Sequence, residues 1–402
     1  MLSQAVHAAA FAKLAPAMLD RPGFSLETGK LLMSRFLHGL RVPADGQGGR
    51  IRQVSIRITD RCNLRCHTCG QWGDSGYLLD RPLRELIRNE VPPERYLELV
   101  EDLVAHNHRP GLYLWGGEPM LNKGTVPLIE AAARHGLPTS IATNGTRLAE
   151  SAAELVKAPL YLAQVSIDGG DAATHNASRP GANVSNDNFA TVNNALDALG
   201  EERRRQGSRL PILAGLCTIN QRNADRLVDV YEAFADKVDV LVFYLLWWID
   251  EDAARRHTED FTRRFGFAPE LHNGWIGGWR PTDYAKLSEQ LTTLSKRGLS
   301  PKGPAVVILP HLTKARDLER YYTDHDATFG YDKCTSIYRM VEINANGNMS
   351  PCRDYHDYVV GNVKTNTITE IWNNDPYRKF RCSLGQDGLM PACTRCCGLM
   401  GN

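Results

Sequence analysis

Most of the distinctive chemistry in this chain of 402 residues rests with its ten cysteines. Three of them, Cys62, Cys66 and Cys69, fall in the run TDRCNLRCHTCGQWG with the spacing C-x3-C-x2-C. Thiolate sulfur is soft and suits iron or zinc. Three thiolates on one tight loop supply one face of an iron–sulfur cubane and leave its fourth iron open. A zinc site that recruits His67 would use the same residues, and so would unrelated thiols. Six more cysteines lie at 334–397, namely Cys334, Cys352, Cys382, Cys393, Cys396 and Cys397. Cys217 stands alone in AGLCTIN. A free cysteine is among the most buried of small side chains. Its S–H bond is also weak enough to give hydrogen to a carbon radical. Cys217 is therefore read both as packing and as a candidate catalytic hydrogen donor.

The rest of the composition narrows the class. Apolar residues make up 43% of the chain and charged residues 23%, as in a soluble globular protein. A net charge of +1 gives no overall field for nucleic acid, and the basic run EERRRQGSR reads as a solvated helix end. No apolar stretch approaches the roughly 20 residues of a transmembrane segment. The N-terminus lacks a basic region ahead of its short apolar part, which Lys13 interrupts, so no signal peptide is expected. A cytoplasmic, reducing location follows as an expectation, with the cysteines free of disulfides. Residues 26–43 have the spacing of an amphipathic helix, suited to packing on its own domain or to peripheral membrane contact.

Elements that must position the cysteines alternate along the chain. Strand patterns at QVSIRIT, GLYLWGGEP, PTSIATNG, YLAQVSIDGG, LPILAGLCTIN and VDVLVFYLLWW are separated by helical stretches. Such βαβ units predict an α/β fold with a parallel sheet, here a partial (β/α)6 barrel of the TIM type, with its chemistry at the strand ends. The expected division is a helical extension at 1–50, the barrel at 51–250, a lid or linker at 251–329 and a cysteine-rich module at 330–402. Trp247, Trp248, Trp275, Trp279 and His272 are candidate lid contacts.

The cysteine loop directly after the first strand resembles the defining loop of the radical S-adenosylmethionine (radical SAM) superfamily. GGEP at 116–119, TNG at 143–145 and SIDG at 166–169 close the next three strands, as they do in that family. The resemblance covers roughly 52–250. It implies that Cys62, Cys66 and Cys69 bind a [4Fe–4S] cluster whose open iron chelates SAM. Reductive cleavage of SAM then gives a 5′-deoxyadenosyl radical that takes hydrogen from substrate. It also implies cofactor contacts by Gly116, Gly117, Glu118 and Pro119 near the methionine amino group. Asn144 and Ser166 would lie near the ribose or carboxylate, and Arg179 near the carboxylate. Relatives carry an aromatic residue where this chain has Thr68, and Trp72 is a candidate for supplying that ring.

C-x12-G-x4-C followed by GN, IW and a closing C-x2-C resembles the SPASM/twitch extension of the same superfamily. That implies one auxiliary [4Fe–4S] cluster on Cys334, Cys352, Cys393 and Cys396, with Cys382 and Cys397 spare. The implied function is hydrogen abstraction from a small-molecule or natural-product intermediate, leading to oxidation or epimerisation. A flavodoxin or ferredoxin is the expected reductant. The alternative is a maturase acting on a ribosomally made peptide substrate, and the non-enzyme alternative is an iron–sulfur electron carrier.

Overall fold

The computed structural model describes residues 2–40, 43–182, 187–354 and 356–400. Its centre is one ten-stranded sheet. The strands are β1 (Gln53–Thr59), β2 (Gly111–Gly116), β3 (Thr139–Thr143), β4 (Leu162–Ser166), β5 (Ile212–Ile219), β6 (Val240–Leu245), β7 (Ala305–Leu309), β8 (Met340–Ile343), β9 (Asn348–Ser350) and β10 (Gly361–Asn362). Their order is β10-β9-β8-β1-β2-β3-β4-β5-β6-β7. β1 to β7 run parallel in chain order, which is the winding that βαβ units give.

Alternation along each strand separates two faces. Val54, Ile56, Ile58, Leu112, Leu114, Ala163, Val165, Leu213 and Leu241 join the helices in the main core. The opposite face of β5 to β7 carries Ala214, Val240, Val242, Ala305 and Val307 and looks into the barrel. Two N-terminal helices, α1 (Leu2–Asp20) and α2 (Pro22–Leu40), close the end opposite the cysteine loop. Ala10 and Leu14 pack with Ile212 and Val240, Lys13 Nζ donates to Pro304 O at 2.9 Å, and Phe24 meets Tyr161 edge-on. Within the amphipathic segment at 26–43, Thr28 and Leu31 line a cavity at this end of the barrel, while Leu26 and Met33 are exposed.

Two differences from the sequence reading concern the C-terminal half. Residues 251–329 are not only a lid: helices Glu251–Phe265 and Tyr284–Leu299 lead into β7, which extends the sheet beyond the six strands expected. Periodicity misses AVVIL because a five-residue apolar run looks the same in a buried strand and a buried helix. Only the stretch between these two helices, with its short helical turn Leu271–Trp275, stays irregular. The cysteine-rich module also shares the sheet: β8 pairs in parallel with β1, and β8, β9 and β10 form an antiparallel set. No helix among the described residues is long and apolar enough to cross a membrane.

Candidate iron–sulfur and SAM site

The cysteine loop leaves the C-terminal end of β1 and is fixed on two sides. On one side, a strap at 178–182 is zipped to it. Arg65 N donates to Pro180 O (2.8 Å), Ala182 N to Asn63 O (2.9 Å) and His67 N to Ser178 O (3.3 Å), and Leu64 bridges Gly181. On the other side, Gly117 N donates to Thr59 O (2.9 Å) and Glu118 N to Arg61 O (2.7 Å). This second contact needs the bare glycines. Gly116 sits at φ 131°, and a Cβ on Gly117 would stand 2.0 Å from Arg61 O.

Each of the three thiols accepts at least one N–H. Leu64 N and Asn144 Nδ2 reach Cys62 Sγ at 3.5 and 3.9 Å, Arg179 Nη1 reaches Cys66 Sγ at 3.5 Å, and Trp72 N reaches Cys69 Sγ at 3.4 Å. Burial pushes the Cys62 thiol up to about 12 and the Cys66 thiol up to about 11. Bare, these groups stay protonated, and a bound metal drives the protons off. Among the described residues no three of His, Cys, Asp and Glu gather closely enough to grip a single ion. A cubane needs no such convergence, because its thiolates sit on separate irons.

Several expected cofactor contacts have other work. Glu118 is fully buried, its carboxylate accepting from Thr143 Oγ1 (2.7 Å), Asn144 N (2.7 Å) and Met120 N (3.1 Å). Burial pushes its carboxyl up, against those three bonds. It ties the end of β2 to the end of β3. Pro119 is buried at the start of the short turn Pro119–Leu121. Asn144 both caps its turn through Thr146 and reaches the cysteine loop at Asn63 and Cys62. Ser166 ends β4, paired with Leu216.

Trp72 does not replace the missing aromatic at Thr68. It is 6% exposed, its indole N–H donates to Asp60 O at 2.7 Å, and the Arg65 guanidinium lies 4.3 Å over its ring. Trp247 and Trp275, stacked with centroids 3.8 Å apart, line a cavity of about 290 Å³ together with His67, Thr68, Cys69 and Arg222. Trp275 lies directly against Gly70. Of the other lid candidates, Trp248 and Trp279 line the same cavity, while His272 is fully buried against His257.

Cys217 points away from the barrel interior. It is 0% exposed and shares the helix-facing side of β5 with Leu213 and Ile219, whereas Ala214 faces the barrel. Its neighbours are Phe243 across the ladder and the Asn223 amide at 3.6 Å. A thiol on that face does not reach a substrate inside the barrel. Cys217→Ala should therefore leave product identity unchanged and cost about 1 kcal/mol of stability, read by product chromatography and denaturant melts; loss of product with intact SAM cleavage would restore the hydrogen-donor role.

Sequence reasoning passed over Asp168, although SIDG contains it. It is fully buried, accepts Arg179 Nε at 2.8 Å and Thr218 N at 2.8 Å, and its own N–H donates to His175 Nδ1 at 3.3 Å. Burial, then the Arg179 charge, hold His175 down at about 4, so its ring is neutral and accepts. Arg179 itself is already paired with this carboxylate.

In the C-terminal module, β8 and β9 form an antiparallel hairpin that lies between Cys334 and Cys352 in the sequence. Cys393 is buried, its thiol pushed up to about 12 by burial and then by Cys334 beside it. Cys352 and Cys396 pack on one patch with Ile249, Ala253 and Ala392, and Cys396 Sγ lies 3.0 Å from Asp354 Oδ2. Cys382 lies on helix Asp375–Asp387 with its Sγ 3.6 Å from Ala44 O. The Cys397 side chain is outside the described ones.

Three thiols follow the C-terminal end of β1, and a second cysteine set belongs to the module that shares its sheet. Residues 56–205 match the Radical SAM superfamily, and residues 334–397 match SPASM, an iron–sulfur cluster-binding domain. The chain is thus a radical SAM protein with a C-terminal SPASM domain, and its cofactors are SAM and [4Fe–4S] clusters. It is 35% identical over 137 residues to a GTP 3′,8-cyclase of Erythrobacter litoralis, a match covering 32% of this chain and 38% of that protein. The chain spans well under two thirds of the GTP 3′,8-cyclases it matches. An AdoMet-dependent heme synthase of Methanosarcina barkeri matches at 23% identity over 82% of this chain and 84% of its own length. Streptococcus suis SuiB bound to precursor peptide SuiA shares the fold at TM-score 0.56 and 14% identity, covering 82% of this chain and 66% of that one.

Proposed function

We propose that Cys62, Cys66 and Cys69 hold the SAM-binding cluster of an enzyme that oxidises a small-molecule substrate, with Cys334, Cys352, Cys393 and Cys396 holding one auxiliary cluster. The observation that carries the first assignment is that every thiol of the N-terminal set receives an N–H donor. N–H groups aimed at sulfur stabilise thiolate and are a known lever on cluster potential. When bound, the reduced cluster with SAM supplies one-electron cleavage to a 5′-deoxyadenosyl radical.

The chain's own residues do the rest. The strap and the two glycines hold the loop rigid, and Asn144 and Arg179 touch its sulfurs. The stacked Trp247–Trp275 pair, in the cavity that Thr68 also lines, offers an aromatic face for adenine in place of Trp72. Oxidation is favoured over epimerisation because Cys217 faces away from the barrel, and because four thiols in the second set suit a fully ligated, electron-accepting cluster. The heme synthase, whose match spans both halves of this chain, supports the small-molecule reading. The fold shared with SuiB keeps a peptide substrate as the second reading.

Anaerobic reconstitution should give about eight irons per chain, four for each cubane. Dithionite and SAM should then release 5′-deoxyadenosine. A protein that holds iron but neither binds nor cleaves SAM would return the electron-carrier reading, and about four irons would mean that one cysteine set holds no cubane.

A further inference from the structure

Arg179 stands out among the buried charges because it touches one sulfur of the N-terminal set and none of its partners explains that contact. Its side chain is 12% exposed. Nε is spent on Asp168 Oδ2 at 2.8 Å, while Nη1 points to Cys66 Sγ at 3.5 Å. The pair is locked from three directions. Thr218 N donates to the other oxygen of Asp168, Arg179 N donates to His175 O, and Asn188 Nδ2 donates to Arg179 O at 2.7 Å. The residue belongs to the strap that is zipped to the cysteine loop, so the guanidinium cannot drift from the thiol without unzipping the strap. Among the described residues, the donors to Cys62 and Cys69 are neutral N–H groups.

We infer that Arg179 is a positioning residue whose charge-assisted hydrogen bond to Cys66 raises the reduction potential of the N-terminal cluster, with Asp168 setting how much of that charge the sulfur feels. A cation at a cluster sulfur stabilises the reduced cluster, which carries one more negative charge, and hydrogen bonds to charged groups are the strong ones. Partial neutralisation by a buried carboxylate trims the effect. The inference rests on the proposed assignment of Cys62, Cys66 and Cys69 to a cluster.

The test is an anaerobic redox titration of the reconstituted full-length chain, followed by electron paramagnetic resonance. The N-terminal signal is identified as the one that changes when SAM is added afterwards. Arg179→Gln should show an about tenfold smaller reduced-to-oxidised ratio at a fixed solution potential, equal to about 59 mV for one electron. Arg179→Lys should keep most of the parent ratio. Asp168→Asn should move the ratio the other way, because it keeps an oxygen for Thr218 N while freeing the guanidinium charge. Full iron content with a ratio within about twofold of the parent in Arg179→Gln would overturn the inference. If that variant loses its iron, Asp168→Asn decides: a shift to more positive potential supports the inference, and no shift or a negative one overturns it. A parent chain without any SAM-responsive signal would instead fail the cluster assignment, and the inference with it.

Discussion

Alanine at Cys66 should strip about four irons from the chain and lower 5′-deoxyadenosine release by more than about 100-fold, since even the hydrogen-bond partners of metal ligands cost 10–100-fold when removed. Two thiolates cannot hold a cubane at three corners, and the neighbouring groups offer no substitute. His67 is turned to Asp74, with Nδ1 at 2.9 Å from the carboxylate, and Asp168 is held by Arg179. The loop itself should survive, because the strap bonds at Arg65, His67 and Ala182 are made by backbone atoms. Circular dichroism should therefore be unchanged while the iron and the SAM cleavage are lost. Cys393→Ala gives the contrast. It should remove the other four irons, about as many again, and leave SAM cleavage within about threefold of the parent, because that set lies on a different part of the sheet. Iron assay and chromatography of the nucleoside product read both variants. A Cys66→Ala protein that keeps eight irons or cleaves SAM would refute the ligand assignment.

Gly117→Ala should be strongly damaging, with the shortest added-Cβ contact among the described glycines. The added Cβ would meet Arg61 O at 2.0 Å and Asp60 O at 2.8 Å. Neither oxygen belongs to a flexible side-chain tip. The segment cannot retreat either, since Gly117 N bonds Thr59 O and Glu118 N bonds Arg61 O across the same contact. Relief requires the cysteine loop to move off the end of β2, which also pulls Glu118 from Thr143 and Asn144. The expected cost is about 3 kcal/mol or more, at the high end for overpacking. Iron incorporation should fall with it, since Cys62 follows Arg61 directly. Gly49→Ala, where a Cβ meets nothing within 4 Å, should change the melting curve little. Equal stability of the two variants would show that the close approach at Gly117 is not rigid.

Spacing and local chemistry were enough to identify both cysteine sets, the strand ends that face the site and the α/β class. Those features live within a few residues of one another: C-x3-C-x2-C is one loop, GGEP one strand end, and the closing C-x2-C one knuckle. The features that only the tertiary structure decided all join distant parts of the chain. Cys217 lies in ILAGLCTI, a run apolar on both faces, so its side of the sheet depends on which neighbour covers which face. β7 and β8 became part of the barrel sheet because β6 and β1 offered unpaired edges, which no local pattern announces. Glu118 carries the right motif but spends its carboxylate on β3. Trp72 carries the right ring but buries it under Arg65, leaving Trp247 and Trp275 in the cavity that Thr68 lines. Arg179 and Cys66 are 113 residues apart, brought together by the strap rather than by any motif. Residue types and spacing thus specified the chemistry, whereas which side chains meet depended on strand order and face, which are set by packing across the whole sheet.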